Sequence, residues 1–351
     1  MIPQAFGRSD PWSVGIEEEL FVLDADSLEP VPVPAAWLDG IRFKAELHAS
    51  VVELNTGICA GVEQAAAELA GLRREAKRRA ATAGLALAAS GSWPTARAED
   101  QPITQDPAYL RFVEYAGSAA RRQYVCGLHV HVGVPSAEAC MDRLEATLPW
   151  LPLMLALSAN SPYFAGAETG LASARAEILA LLPRSGAPPV FGSYQDWEAF
   201  AERLVELGLA DAYTRIWWDV RPHPRFGTVE VRMPDQPTRA EATAAVAALV
   251  QALVASADRA KPADRGIYAQ NRWAALRFGR AAELIHPSGT RLVTVDESLS
   301  ELFDRVRPTA ERLGGARFLG PLERLAQAEE QLALGRDQGL RAVCEHLIAL
   351  T

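Results

Sequence analysis

Residues 123–134, QYVCGLHVHVGV, form the clearest alternating stretch in the chain. A period of two over this length reads as a β-strand. Alternate residues of a strand share a face, so His129 and His131 are expected side by side, with Val130 and Val132 on the other surface. Gly127 and Gly133 bracket the pair and allow close approach by neighbouring groups. Working outward, residues 14–23 (VGIEEELFVL) read as a second strand, ended by the turn-prone segment 24–34. Residues 44–58 (KAELHASVVELNTGI) read as extended structure and 85–90 as a further strand. Residues 216–233 (IWWDVRPHPRFGTVEVRM) read as two strands joined by a turn containing Pro222, Pro224 and Gly227. Helical spacing marks residues 62–82, a short helix from Pro107 to Tyr115, and then 137–158, 171–182, 194–208, 239–258, 267–281, 296–313 and 321–348. No linker, repeat or low-complexity tract divides the chain. The expected fold class is α+β, an antiparallel sheet with helices packed on one face, and residues 1–351 are expected to form a single catalytic domain whose part beyond about 239 is mostly helical.

Composition narrows the function. The 351 residues are 49% hydrophobic and 23% charged, which fits a folded globular protein and excludes a disordered one. Lys and Arg total 35 against 44 Asp and Glu, a formal charge of −9. That balance argues against a broad nucleic-acid or anionic-membrane footprint. Only Lys44, Lys77 and Lys261 are lysines, so cation chemistry falls almost wholly to arginine, which grips carboxylate and phosphate with two hydrogen bonds. Cys59, Cys126, Cys140 and Cys344 are scattered without a C-x-x-C pair, as expected of reduced thiols in the cytoplasm. The opening residues MIPQAFGRSDPW lack a signal-peptide pattern, and the apolar run at 151–157 is too short to cross a bilayer. There is no G-x-x-x-x-G-K-[ST], G-x-G-x-x-G, H-E-x-x-H or G-x-S-x-G.

Polar residues inside strands remain. In GIEEEL, Glu17 and Glu19 share a face and could hold a hard cation such as magnesium, although a solvent-exposed edge fits them as well in isolation. Glu18 projects the other way and is expected to be a solvated charge. Glu46 and Glu53 are seven residues apart, about 23 Å of extended strand, so a bend must lie between them if both serve one site. In the 216–233 segment, Arg221, Arg225, Glu230 and Arg232 gather around one hairpin, with Glu230 and Arg232 on one face. A salt-bridge ladder and a metal–phosphate site explain that hairpin equally well. Acids, imidazoles and arginines on four strands together point to a metal–polyphosphate site on a sheet face.

GIEEEL, VVELNTGIC, GLHVHVG, ALSANSPY and WWDVRPHPRFGTVEVRMPD occur here in the order that resembles bacterial carboxylate–amine ligases of the glutamate–cysteine ligase type 2 family. The resemblance covers roughly residues 11–290, with RPHPRFGTVEVRMPD its most specific motif. It implies the glutamine synthetase/guanido-kinase catalytic fold, a curved antiparallel sheet with helices on its convex face and ATP and magnesium, or manganese, on its concave one. It implies ATP-dependent amide formation through an acyl phosphate, from glutamate or a similar small carboxylate and cysteine or another amine. Separately, the apolar helical C-terminal third without a membrane signal leads to the expectation of a homodimer. Carried over by motif position, Glu17, Glu19, Glu53, His129 and Glu230 would be metal ligands, with Glu46 where relatives often have aspartate. Arg232 and Arg221 would contact phosphate or substrate carboxylate, and His131 and Arg225, with Arg232, would support the nucleotide. The Gly/Pro-rich 183–193 segment is a candidate closing loop. A phosphotransferase on the same fold and a non-catalytic nucleotide-binding module are the alternatives.

Overall fold

The computed structural model describes residues 2–257 and 261–351. In chain order its strands are β1 (Val14–Asp24), β2 (Phe43–Ala45), β3 (Val51–Asn55), β4 (Leu85–Ala88), β5 (Leu128–Gly133), β6 (Tyr163–Phe164), β7 (Ala167–Glu168), β8 (Val220–His223), β9 (Thr228–Val231), β10 (Glu283–Ile285) and β11 (Leu292–Thr294). The α-helices are α1 (Val62–Thr82), α2 (Pro107–Ala116), α3 (Ser118–Arg121), α4 (Ala137–Thr147), α5 (Leu151–Ser158), α6 (Ala174–Leu179), α7 (Tyr194–Glu206), α8 (Ala240–Ser256), α9 (Arg265–Phe278), α10 (Val295–Arg312), α11 (Gln327–Gln338) and α12 (Leu340–Leu350).

Seven strands form one antiparallel sheet in the order β2-β3-β1-β5-β9-β8. Phe21 pairs with Val51 of β3 and Ala88 of β4, so β4 takes the far edge of β1 beyond the point where β5 ends. The alternation read from the sequence sorts the two faces. Ile16, Val130, Val132, Val229 and Val231 join a large core with α8, α4, α5 and α10. Leu20, Val22, Val52 and Leu54 pack against α1. α8 is apolar on every side and almost wholly buried, as a helix that is hydrophobic all round should be.

Several expected elements are shorter or divided, each for a local reason. The 44–58 segment folds back as a β2–β3 hairpin, in which Lys44 pairs with Glu53. β5 begins only at Leu128, because Cys126 N–H is diverted to the Gly91 carbonyl. The 137–158 helix is interrupted at Leu148–Trp150, where Pro149 and Pro152 lack the N–H groups that a continuous helix needs. The 171–182 helix shrinks to α6, since the N–H groups of Ala172 and Ser173 both reach the Leu276 carbonyl. The long C-terminal helix breaks at Gly339, whose φ of 85° lies in the left-handed region. The β10–β11 hairpin was not anticipated: its three-residue strands carry too little pattern to read.

Candidate active site

Apart from Glu18, the polar side chains singled out on the strands lie on one face of the sheet, opposite α1 and α8. The register explains this. Glu17 stands across from Asn55 on one side and His129 on the other, and Glu19 stands across from Glu53. His131 stands across from Glu230, which in turn faces Arg221. Directly opposed residues in an antiparallel ladder project together, so β3, β1, β5, β9 and β8 deliver their polar groups to a single row. Glu46 joins through the β2–β3 turn, which supplies the bend required between it and Glu53.

Three sets of ligand atoms lie within 4.8 Å of one another: Glu17, His131 and Glu230; Glu17, Glu53 and His129; and Glu19, Glu46 and Glu53. Glu17 and Glu53 each belong to two sets, which makes the three contiguous. His129 Nδ1 is 3.2 Å from Glu17 Oε2, and His131 Nε2 is 3.5 Å from Glu17 Oε1 and 3.9 Å from Glu230 Oε1. The other ring nitrogen of His131 is 3.0 Å from the Thr228 hydroxyl, which orients the ring. His131 Nε2 is buried without a hydrogen-bond partner. A buried, orphaned imidazole nitrogen facing two carboxylates is the arrangement a cation would complete.

The electrostatics divide along the row. Burial works to protonate Glu17, but His131 and His129 hold its carboxyl well below the usual range. Burial is likewise overcome at Glu230 by Arg221 and Arg232, and its carboxyl stays well below the usual range. Burial disfavours charge on His131, yet Glu17 and Glu230 raise its pKa. His129, buried and beside Arg232, is pushed down to about 4 and so remains neutral and able to coordinate. At the other end, burial pushes Glu19 up to about 7, with Glu53 adding to the effect against Arg175. Burial, Glu53 and Glu19 drive Glu46 well above its usual value, and burial with Glu17 raises Glu53. Three closely spaced carboxylates, Glu53 buried and Glu19 and Glu46 half-buried, repel one another and need protons or a cation, and divalent ions with oxygen ligands suit them.

Two cavities open at opposite ends of the row. One, of about 230 Å³, is lined by Glu19, Glu46, His129, Arg175, Arg232 and Tyr109 among others. The second, of about 370 Å³, is lined by Glu17, Lys44, His131, Arg225 and Thr228, with Ile41, Ile58 and Phe226 at its mouth. Those three apolar side chains are exposed. Arg232 therefore reaches the first cavity and Arg225 the second. Arg221 reaches neither: its Nε and Nη2 grip Glu230 at 2.6 and 3.1 Å, and Nη1 donates to the carbonyls of Thr214 and Ile216, both at 2.8 Å. The 183–193 segment is pinned, with the Gly186 carbonyl accepting from Asp219 N–H at 2.8 Å and the Pro188 carbonyl from Arg265 at 2.9 Å.

Glu18 faces away, as its register requires, but it is not solvated. It is fully buried and paired with Arg73 of α1, with Gln236 and Thr243 also donating to it. The expectation of a free surface charge fails because this face of β1 is covered by helices, one of which supplies the countercharge.

Three polar residues of the site escaped sequence reading. Arg175, at the start of α6, is buried beneath the first cavity and donates to the carbonyls of Met233 and Arg232 at 2.9 and 3.1 Å. A Cβ on Gly127 would fall 2.0 Å from Arg175 Nη2, so that glycine is the space the guanidinium occupies. Lys44 and Asn55 both bond Glu53 Oε1, at 3.1 and 2.8 Å. Lys44 and Asn55 could have been found by pairing a β2–β3 hairpin; Arg175 carries no local signal.

A family profile described as glutamate-cysteine ligase family 2 matches residues 13–346. A protein of Rubrobacter xylanophilus, provisionally named glutamate–cysteine ligase 2-3, is 40% identical over 358 residues, covering 99% of each chain. A Sorangium cellulosum protein with the provisional name glutamate–cysteine ligase 2 is 36% identical, covering 96% of this chain and 95% of its own. Among solved structures, the glutamate–cysteine ligase of Francisella tularensis in complex with AMP superposes with a TM-score of 0.69 at 13% identity, covering 97% of this chain and 89% of that one. A bifunctional glutathione synthetase from Pasteurella multocida gives 0.72 at 15% identity, covering 96% of this chain and 52% of that one. At such identities the likeness is one of fold.

Proposed function

We propose that this chain, which belongs to glutamate–cysteine ligase family 2, is an ATP-dependent ligase that joins a small carboxylate such as glutamate to an amine such as cysteine through an acyl phosphate, using magnesium. The observation that supports this reading is the run of three contiguous ligand sets between two cavities. Glu17, Glu19, Glu46, Glu53, His129, His131 and Glu230 would hold the cations, and their oxygen-rich composition suits magnesium or manganese. His131 thus moves from a nucleotide contact to a ligand. When bound, magnesium would offset the charge of the triphosphate.

The protein's own residues do the rest. Ile41, Ile58 and Phe226 offer apolar surface for a nucleobase, and Arg225 a cation for its phosphates. The reaction cavity, with Arg232 and Arg175 on its walls, takes the carboxylate substrate, whose oxygen attacks the γ-phosphorus and releases ADP. The amine then attacks the acyl carbon, the amide bond forms and inorganic phosphate leaves. Arg232, beside Glu230 and His129, is placed to stabilise charge on the transferred phosphoryl group. Arg221 is a positioning residue that fixes Glu230. We place the site on the concave side of a curved sheet, in a single cytoplasmic catalytic domain that pairs as a homodimer. Light scattering at twice 37.9 kDa supports the dimer, and the monomer mass refutes it.

The test is to incubate the protein with ATP, magnesium, glutamate and a panel of amines. Release of ADP and phosphate that requires the amine, with a product lighter than the summed substrates by one water, is expected. Phosphoryl transfer that proceeds without any amine would replace the ligase reading with a kinase one.

A further inference from the structure

A third cavity, of about 260 Å³, lies beside the reaction cavity and shares Phe112, Arg215 and Trp217 with it. The shared wall is aromatic: the Phe112 and Trp217 ring centres are 4.8 Å apart, tilted by 32°. Beyond it the lining is cationic, with Arg111, Arg184 and Arg215 against the single acid Asp211. Asp211 is already shared, 2.8 Å from Arg215 Nε and 3.8 Å from Arg111 Nη2.

Arg184 is left over. Among the described residues no carboxylate pairs with it. Its guanidinium lies 6.0 Å from the Tyr115 ring centre and 5.8 Å from that of Trp217, within reach of a cation–π attraction. Within the described residues it donates only to the carbonyls of Arg215, at 3.3 Å, and Leu209, at 3.4 Å, distances at the weak end of hydrogen bonding. Its φ of 60° is a left-handed conformation that non-glycine residues rarely adopt. A half-buried guanidinium, held over two aromatic rings and lacking an anion, is built to receive one.

Building on the ligase reading, we infer that this cavity binds the distal carboxylate of an elongated amine substrate. The amine end lies in the reaction cavity, an apolar stem crosses the Phe112–Trp217 wall, and Arg184 takes the carboxylate at the far end. The substrate class is an amine whose carboxylate is separated from the amino group by more than one carbon, such as a dipeptide or a long ω-amino acid. Free cysteine, with its carboxylate one carbon from the amine, cannot span both cavities.

The experiment compares amine acceptors at saturating ATP, magnesium and glutamate: cysteine, ω-amino acids of increasing length, dipeptides, and the methyl esters of each. In the wild-type protein, long carboxylated acceptors should show a KM at least tenfold below that of cysteine, and esterification should remove that advantage. Arg184→Gln should raise the KM of the carboxylated acceptors about tenfold, leave their esters and ATP unaffected and change kcat by less than threefold, with a thermal melt confirming folding. The ester comparison uses the wild-type chain and stands even if the variant misfolds. Failure of the ligase reading is separable. If no acceptor turns over, calorimetry of a dipeptide with a non-hydrolysable ATP analogue should still show binding that Arg184→Gln weakens about tenfold. Equal KM for acids and esters, no dipeptide binding, or binding of inorganic phosphate there in preference to any dipeptide, overturns the inference.

Discussion

Glu18 of β1 and Arg73 of α1 form a two-bonded ion pair, 2.8 and 2.6 Å, buried between the sheet and the helix layer. Glu17 and Glu19 on either side of Glu18 point into the site, so this pair anchors the strand that carries two predicted ligands. Arg73 also donates to the carbonyls of Pro237 and Thr238, at 3.1 and 2.6 Å, tying the segment before α8 to the same point.

Glu18→Gln should therefore be strongly destabilising. Removing one partner of a buried pair leaves an uncompensated charge, which commonly costs about 3–5 kcal/mol. Chemical denaturation should show that loss. Unchanged stability would mean that water reaches Arg73. Turnover per folded molecule should change much less than in the ligand variants.

Glu53 belongs to two ligand sets, so Glu53→Gln should raise the magnesium requirement and lower turnover about a hundredfold, the usual scale for a lost electrostatic contact at a reacting centre. His129→Asn should behave alike. Since His131 also completes a set, His131→Asn should match them rather than be milder. Turnover at saturating magnesium and ATP decides; a His131→Asn enzyme with wild-type activity removes His131 from the ligands.

The carboxylate cluster predicts how metal and pH interact. Glu19 rises from 4.5 to about 7 through burial, so the folded protein binds its proton more tightly than the unfolded chain. Its contribution to stability is fully present below 4.5 and is lost as pH rises through about 7. Glu46 and Glu53 shift in the same direction. The carboxylate cluster's own share of the metal-free protein's stability should thus fall from pH 5 to 8, while His48, His129 and His223, held below the usual 6.5 by burial, contribute the opposite slope up to about 6.5. Magnesium at a hundredfold excess over its Kd at pH 8 should stabilise the protein by about 2.7 kcal/mol there, and the same concentration by less at pH 5.5. A magnesium-induced melting shift that is equal at both pH values would contradict the cluster as a cation site.

Gly127→Ala should act through Arg175. The new methyl would lie 2.0 Å from Nη2, so the guanidinium must leave the Met233 and Arg232 carbonyls. Hydrogen bonds from a charged group are worth roughly 1.5–3 kcal/mol. We expect the KM for the carboxylate substrate to rise about tenfold or more, with the KM for ATP unchanged. Arg175→Ala should reproduce the effect. If Gly127→Ala alone is damaging, the fault lies in the Gly127 N–H that donates to Glu19.

Much of this site was legible in the sequence, because strand periodicity is local. GIEEEL and GLHVHVG declare which residues share a face, and β1 and α1 fall where their patterns put them. What periodicity cannot give is partnership. That Glu17 stands opposite His129, or that a hairpin rather than a long strand carries Glu46 beside Glu53, depends on register and turns between distant segments. Burial is likewise non-local. Glu18 reads as a surface charge until α1 lays Arg73 over it, and Arg175 reads as one more helical arginine until Gly127 leaves room for it. The alternation of side chains is a property of each strand alone and was fixed by sequence. Countercharges, cavities and shifted pKa values arise where elements meet, and only the tertiary structure decided them.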